Sequence, residues 1–245
     1  MHSSRLDINT YDDEYQQFQR DIYLLIEGTL NASQQYLDKE CGTELAKIKA
    51  AMDATPAPRH YQYLEDEYGD VLLTNISQER FLRNMALVAL ASRLTHALRN
   101  MTKSAELFSP RTKRYEKMTN LSEFKRLWLE YGERFAIDFN AHADLISFVE
   151  PMRVVRNQIV HEGAEAHTFK YHDDVDWNDD SPAYMDTSFA EKYPDYASED
   201  GSEVNVSKQQ LKNAIEASVK LVEWLASELR TRELAHIKAE GTSVC

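Results

Sequence analysis

SQERFLRNMALVALASRLTHALRNMTKSAE, residues 77–106, decides the fold class. Leu87, Leu90, Leu94, Leu98 and Met101 recur at steps of three and four, which makes one apolar stripe on a helix. Arg80, Arg83, Arg93, Arg99 and Lys103 are interspersed among them. The same period extends toward the N-terminus. Phe18, Ile22, Leu25, Thr29, Ala32 and Tyr36 predict a helix from about Asp12 to Cys41, with Gly42 suited to its end. A shorter helix follows from about Thr43 to Asp53, and Ala54-Thr-Pro-Ala-Pro58 breaks it. Residues 60–73 are weakly helical.

Toward the C-terminus, Ser109-Pro-Arg-Thr-Lys-Arg-Tyr115 reads as a basic loop, and helices are expected at 121–131 and 133–142. Another lies within 144–162. Its stripe is Leu145, Phe148, Met152, Val155 and Ile159; Pro151 opens or kinks it, and Gly163 stops it. Ser207-Lys-Gln-Gln210 matches a capping box. The helix behind that box buries Leu211, Ile215, Val222, Leu225 and Leu229 and frays near Lys238. With only 7 Gly and 6 Pro, the expectation is an all-α antiparallel helical bundle, one domain over 1–245, with extra N-terminal helices in 1–60.

Residues 164–206 have no helical period. They are acidic, yet they hold Phe169, Tyr171, Trp177, Tyr184, Phe189, Tyr193 and Tyr196, which a purely disordered tail rarely carries. A long loop or small hairpin that docks on the body is expected there, inserted before the last helix.

At 245 residues the chain can bury one sizeable core. Its two cysteines, Cys41 and Cys245, are too few for a disulfide framework and fit a reducing cytosol. The start, Met-His-Ser-Ser-Arg-Leu-Asp, is not a signal peptide, and no apolar run approaches the roughly 18 residues that span a bilayer. A cytoplasmic protein without a membrane partner is expected. The net charge of −13 argues against a general nucleic-acid binder, but it is uneven: residues 173–203 sum to −10 and residues 80–126 to +8.

Reactive side chains concentrate in Arg153-Val-Val-Arg-Asn-Gln-Ile-Val-His-Glu-Gly163. A His and an Arg together can cut RNA without metal: the imidazole takes a ribose hydroxyl proton and the guanidinium neutralises charge building on phosphorus. The spacing alone is weak. With 15 Arg and 8 His, chance supplies about 1.5 such pairs, and a second does occur, Arg230 with His236. Asn157 directly after Arg156 makes the first pair far rarer. On a straight helix Arg153, Asn157 and His161 share a face, whereas Arg156 is rotated from His161 by roughly 140°. Such a pair works best if the helix ends at His161, or if two copies of the helix meet across a dimer axis.

Arg156-Asn157-Gln-Ile-Val-His161 resembles the signature of the HEPN superfamily: an Arg, commonly followed by Asn, Asp or His, then a His after four to six residues on a bundle helix. The resemblance covers about 147–163, with the long helix and the last helix as looser context. It implies an HEPN-like bundle and a metal-independent endoribonuclease, a homodimer with its site at the interface, acting as a toxin or antiviral defence effector. By that likeness His161 is the base, Arg156 the phosphate clamp and Asn157 the orienting residue, and an antitoxin or defence-system protein is a partner. The insertion 164–206 and the helices before residue 60 depart from a minimal bundle of this kind. A non-catalytic HEPN module binding nucleotide or protein is the alternative, and an ordinary helical interaction protein the third.

Arg153 and the basic-loop residues Arg111, Lys113 and Arg114 are further candidates for contact with RNA, the loop by charge and by stacking on Tyr115. No cofactor and no metal are expected. His161-Glu162 begins like a zinc-protease motif, but residue 165 is Glu; His167 and His172 before Asp173 and Asp174 read as a solvated loop first and a chelating group second. No Walker loop, dinucleotide turn or Gly-x-Ser-x-Gly elbow occurs. The acidic segment has the charge and aromatics to mimic RNA and cover a basic face.

Overall fold

The computed structural model describes residues 10–55, 58–110, 123–161, 168–170, 184–186, 188–198 and 203–241. The fold is all-α. Its helices are α1 (Thr10–Asp21), α2 (Thr29–Ala54), α3 (Pro58–Ser104), α4 (Glu123–Phe135), α5 (Ala143–His161), α6 (Ser188–Lys192) and α7 (Lys208–Gly241). No helix among the described residues is long and apolar enough to cross a membrane.

The stripe on α3 is the centre of the core. Leu87, Leu90, Leu94, Leu98 and Met101 have no exposed surface. Burying each such side chain stabilises by roughly 1.5–3 kcal/mol. Around them pack Tyr11 and Phe18 of α1, Leu127 and Tyr131 of α4, Val149, Met152 and Val155 of α5, and Leu221, Leu225 and Leu229 of α7. The core thus joins five helices from both ends of the described chain.

Several boundaries differ from the sequence reading. Gly42 does not end a helix; it lies inside α2. One glycine costs only about 1 kcal/mol, less than the helix formers around it supply. Likewise 60–73 and 77–106 form one 47-residue helix that passes through Gly69 and starts on Pro58, a residue suited to a first turn. The helix expected at 121–131 is α4, which runs on to Phe135, and in place of a helix over 133–142 there is only a short 3₁₀ turn at Phe139–His142. The break falls at Ala136, whose φ of 51° is left-handed and ends α4. Pro151 neither opens nor divides α5 but sits within it.

Four positions of the expected N-terminal stripe, Leu25, Thr29, Ala32 and Tyr36, are exposed. Leu25 and Tyr36 leave 60% and 64% of their surface uncovered, while Ile26 is buried. A π-helical segment, Ile22–Gly28, joins α1 to α2 and shifts the phase of everything after it. On α5 the repeat through Leu145 and Met152 buries Val149 and leaves Phe148 partly out.

The insertion contains the antiparallel pair β1 (Thr168–Lys170) and β2 (Tyr184–Asp186), with Phe169 opposite Met185. The following stretch docks as expected, through buried Phe189 and Tyr196. Its return is fastened to α3. Asn84 Nδ2 donates to the Val204 carbonyl at 2.9 Å, and its Oδ1 accepts from Val206 N–H at 3.2 Å. Arg83 Nε donates to the Val206 carbonyl at 2.7 Å. The capping box then starts α7 reciprocally: Gln210 N–H donates to Ser207 Oγ, and Ser207 N–H to Gln210 Oε1.

Candidate functional site

Met152, Val155 and Ile159 turn one side of α5 into the core. That leaves Arg153, Arg156 and Asn157, spaced three and four apart, together on another side. They line a cavity of about 410 Å³ whose opposite wall is α3, through Ala91, Ser92, Thr95, His96 and Arg99, with Phe124 of α4 beneath. Three guanidinium groups therefore converge on one small concave space, a setting for a phosphate-bearing ligand.

Within the site, Arg156 Nη1 donates to Asn157 Oδ1 at 2.9 Å. Asn157 thereby fixes the plane of the guanidinium. Among the described residues no carboxylate pairs with Arg153 or Arg156. This separates them from several other arginines of the bundle. Arg83 pairs with Glu79, Arg93 with both Glu14 and Asp21, Arg80 with Glu203, and buried Arg134 with buried Glu130. Three of the eleven basic residues of 80–126, Arg80, Arg83 and Arg93, are engaged in such internal pairs. The second Arg–His pair is structural in the same way: Arg230 meets Asp12 at 2.6 Å, and the His236 ring lies against Phe108.

On the α3 wall, His96 Nε2 lies 3.0 Å from Asn100 Nδ2, which also donates to Glu14 Oε2 at 3.2 Å. Glu14 is held in turn by Arg93 Nη2 at 3.1 Å. The imidazole is anchored from behind by a chain that ends in a carboxylate.

His161 is the last residue of α5, one turn past Asn157. Its side chain lies outside the described part, as do Arg111, Lys113 and Arg114 of the basic loop and the group His167, His172, Asp173 and Asp174. Among the described residues no three His, Cys, Asp or Glu side chains group as metal ligands. The site residues that sequence reasoning missed are His96 and, as a wall residue, Arg99. Their signal was present: Ser92, Thr95, His96 and Arg99 form a polar row on the side of α3 away from its leucines.

Three perturbed ionisable groups lie elsewhere, between α1, α4 and α7. Burial and the neighbouring Glu233 carboxylate push the Tyr11 phenol up, burial pushes the Tyr131 phenol up, and burial raises Glu233 above the usual carboxylate range. Tyr131 gives its proton to the Leu98 carbonyl at 2.9 Å, so it is a structural group. Comparison with protein-family models, with curated proteins and with solved structures finds no match for this chain.

Proposed function

We propose that the chain is an HEPN-type, metal-independent endoribonuclease. The single observation that carries the reading is the cavity in which Arg153, Arg156 and Asn157 face His96 and Arg99, with no carboxylate paired to Arg153 or Arg156 among the described residues. Unpaired guanidinium groups in a concave site favour a polyanionic ligand. His161, one turn beyond Asn157, takes the proton of the ribose 2′-hydroxyl. The oxygen attacks the adjacent phosphorus, and Arg156 stabilises the charge that builds on the phosphate oxygens. The products are a 2′,3′-cyclic phosphate and a 5′-hydroxyl.

The working unit we propose is a homodimer in which two copies of α5 pool their side chains. Val160, four residues after Arg156 on the same side of the helix, leaves 46% of its surface uncovered, which supports a contact there. A toxin or antiviral defence role, restrained by an antitoxin or defence-system protein, fits an enzyme of this kind in the cytoplasm.

The second reading is a non-catalytic module that binds nucleotide. The cavity volume favours it, since about 410 Å³ lies at the small end of ligand pockets and suits a single nucleotide. One comparison decides. Wild type, Arg156→Ala and His161→Ala are incubated with mixed single-stranded RNA in EDTA. Cleavage by wild type alone, ending in cyclic phosphate, is the nuclease result. Nucleotide binding without cleavage by the folded wild type is the module result.

A further inference from the structure

α2 and the part of α3 before Asn84 form a helical hairpin with little core of its own. α2 packs chiefly on α3. Among the described residues, Ile48 is the buried side chain of α2, and Leu64 is the buried one of α3 before Asn84. Neither belongs to the main core. Helices in water hold together by burying an apolar side against another layer, because propensity alone is marginal. One side of this hairpin has the apolar residues for such a layer and nothing from the chain's described residues over them.

That side is a groove of about 980 Å³ between the two helices. On α3, Leu73, Ser77, Phe81 and Met85 follow one another at steps of four and make one ridge along the helix. Across the groove, Ala32 and Tyr36 make a shorter ridge on α2. Tyr36 and Leu73 each leave 64% of their surface uncovered, and Phe81 leaves 63%. Small side chains lie between these large ones: Ala32 and Ser33 on α2, Thr74 and Ser77 on α3.

We propose that this face joins two copies of the chain, hairpin on hairpin, as a four-helix bundle. Three observations select a second copy as the occupant. The face is self-complementary. It carries both ridges of large side chains and hollows over small ones, so across a twofold axis the ridge of each copy fills the groove of the other. Its charge is low. Asp70 is the one charged residue of the lining, which leaves a second copy almost unrepelled and gives a polyanion such as RNA nothing to hold. Its area suffices. Large side chains carry roughly 150–250 Å² each, so Tyr36, Leu73, Ile76, Phe81 and Met85 together leave roughly 500 Å² uncovered. A stable dimer covers about 800 Å² per copy, of which roughly 450 Å² is non-polar. The contact uses neither α5 nor the cleavage chemistry, so it stands apart from the reading above.

Sedimentation equilibrium of the full chain at micromolar concentration tests this. The double variant Leu73→Glu with Phe81→Glu places carboxylates in the contact. Both positions are exposed in the single chain and Glu is a good helix former, so the variant should keep the wild-type helical circular dichroism. Wild type should self-associate. The double variant should sediment at half the wild-type mass, its association weakened at least about 100-fold. Val160→Glu, on the α5 face, is the control and should leave the hairpin contact in place. A monomeric wild type overturns the proposal and leaves the groove to a helix of another protein. A folded double variant that keeps the wild-type mass also overturns it; dissociation by Val160→Glu alone would then assign self-association to α5.

Discussion

The guanidinium of Arg156 is tied to the side chain of the very next residue, Asn157, by a 2.9 Å hydrogen bond. Adjacent residues on a helix are rotated by roughly 100°, so their side chains do not ordinarily face each other. The bond draws Arg156 round toward the side occupied by Arg153 and Asn157.

Asn157→Ala should therefore act on catalysis and not on folding. A hydrogen bond to a charged group is worth about 1.5–3 kcal/mol, so RNA cleavage should fall roughly 10–100-fold. The thermal midpoint should stay at the wild-type value, because Asn157 is only partly buried. Full activity in this variant would remove Asn157 from the site.

Charge reversal at Arg153 should weaken RNA binding without regard to sequence. Measured as a function of salt, the slope of log K against log salt should fall by about 0.7 for the lost phosphate contact on single-stranded RNA. Arg230→Glu is the contrasting variant. It breaks the ion pair with Asp12 and should lower stability while leaving the salt slope unchanged.

The sequence made the helical stripes legible because burial obeys a 3.6-residue repeat. The capping box at Ser207 could be read directly, since both of its bonds are local. The phase shift at Ile22–Gly28 was hidden, because nothing in the residues themselves announces a π-helical turn. Gly42 misled for a related reason: a glycine permits a helix end but does not impose one. At the site, Arg153, Arg156 and Asn157 were legible from spacing on one helix. For His96 only the polar row on α3 was legible; that this row faces α5 is a tertiary fact.

Asn84 should be the most sensitive polar residue in the bundle. It is 4% exposed and satisfies one carbonyl and one amide of the 204–206 segment. Asn84→Leu leaves both backbone groups buried without partners and should cost about 2–4 kcal/mol, read from urea denaturation. A loss below about 1 kcal/mol would mean that water replaces the amide at this place.

Glu233 should make stability depend on pH. It is 3% exposed, and burial raises its folded-state pKa above the ordinary value. A carboxyl with a raised folded pKa binds more protons in the native state than in the unfolded chain. Its contribution is thus complete below the unfolded pKa of about 4.3 and is lost as pH rises through the folded value. Relative to Glu233→Gln, wild type should lose stability as pH climbs from about 4 toward 7. Parallel urea midpoints for the two proteins across that range would contradict this.

The meeting of Asp12 with Arg230 spans 218 positions of the chain. During synthesis α1 leaves the ribosome long before α7, the helix whose Leu225 and Leu229 share the core with Phe18 and Tyr11. Until α7 arrives, α1 lacks much of its cover, and the bundle cannot close around α3. Closure of the core is thereby delayed until α7 has been made. A nascent chain stalled before residue 208 would carry Arg156 and His96 on helices that α7 does not yet clamp.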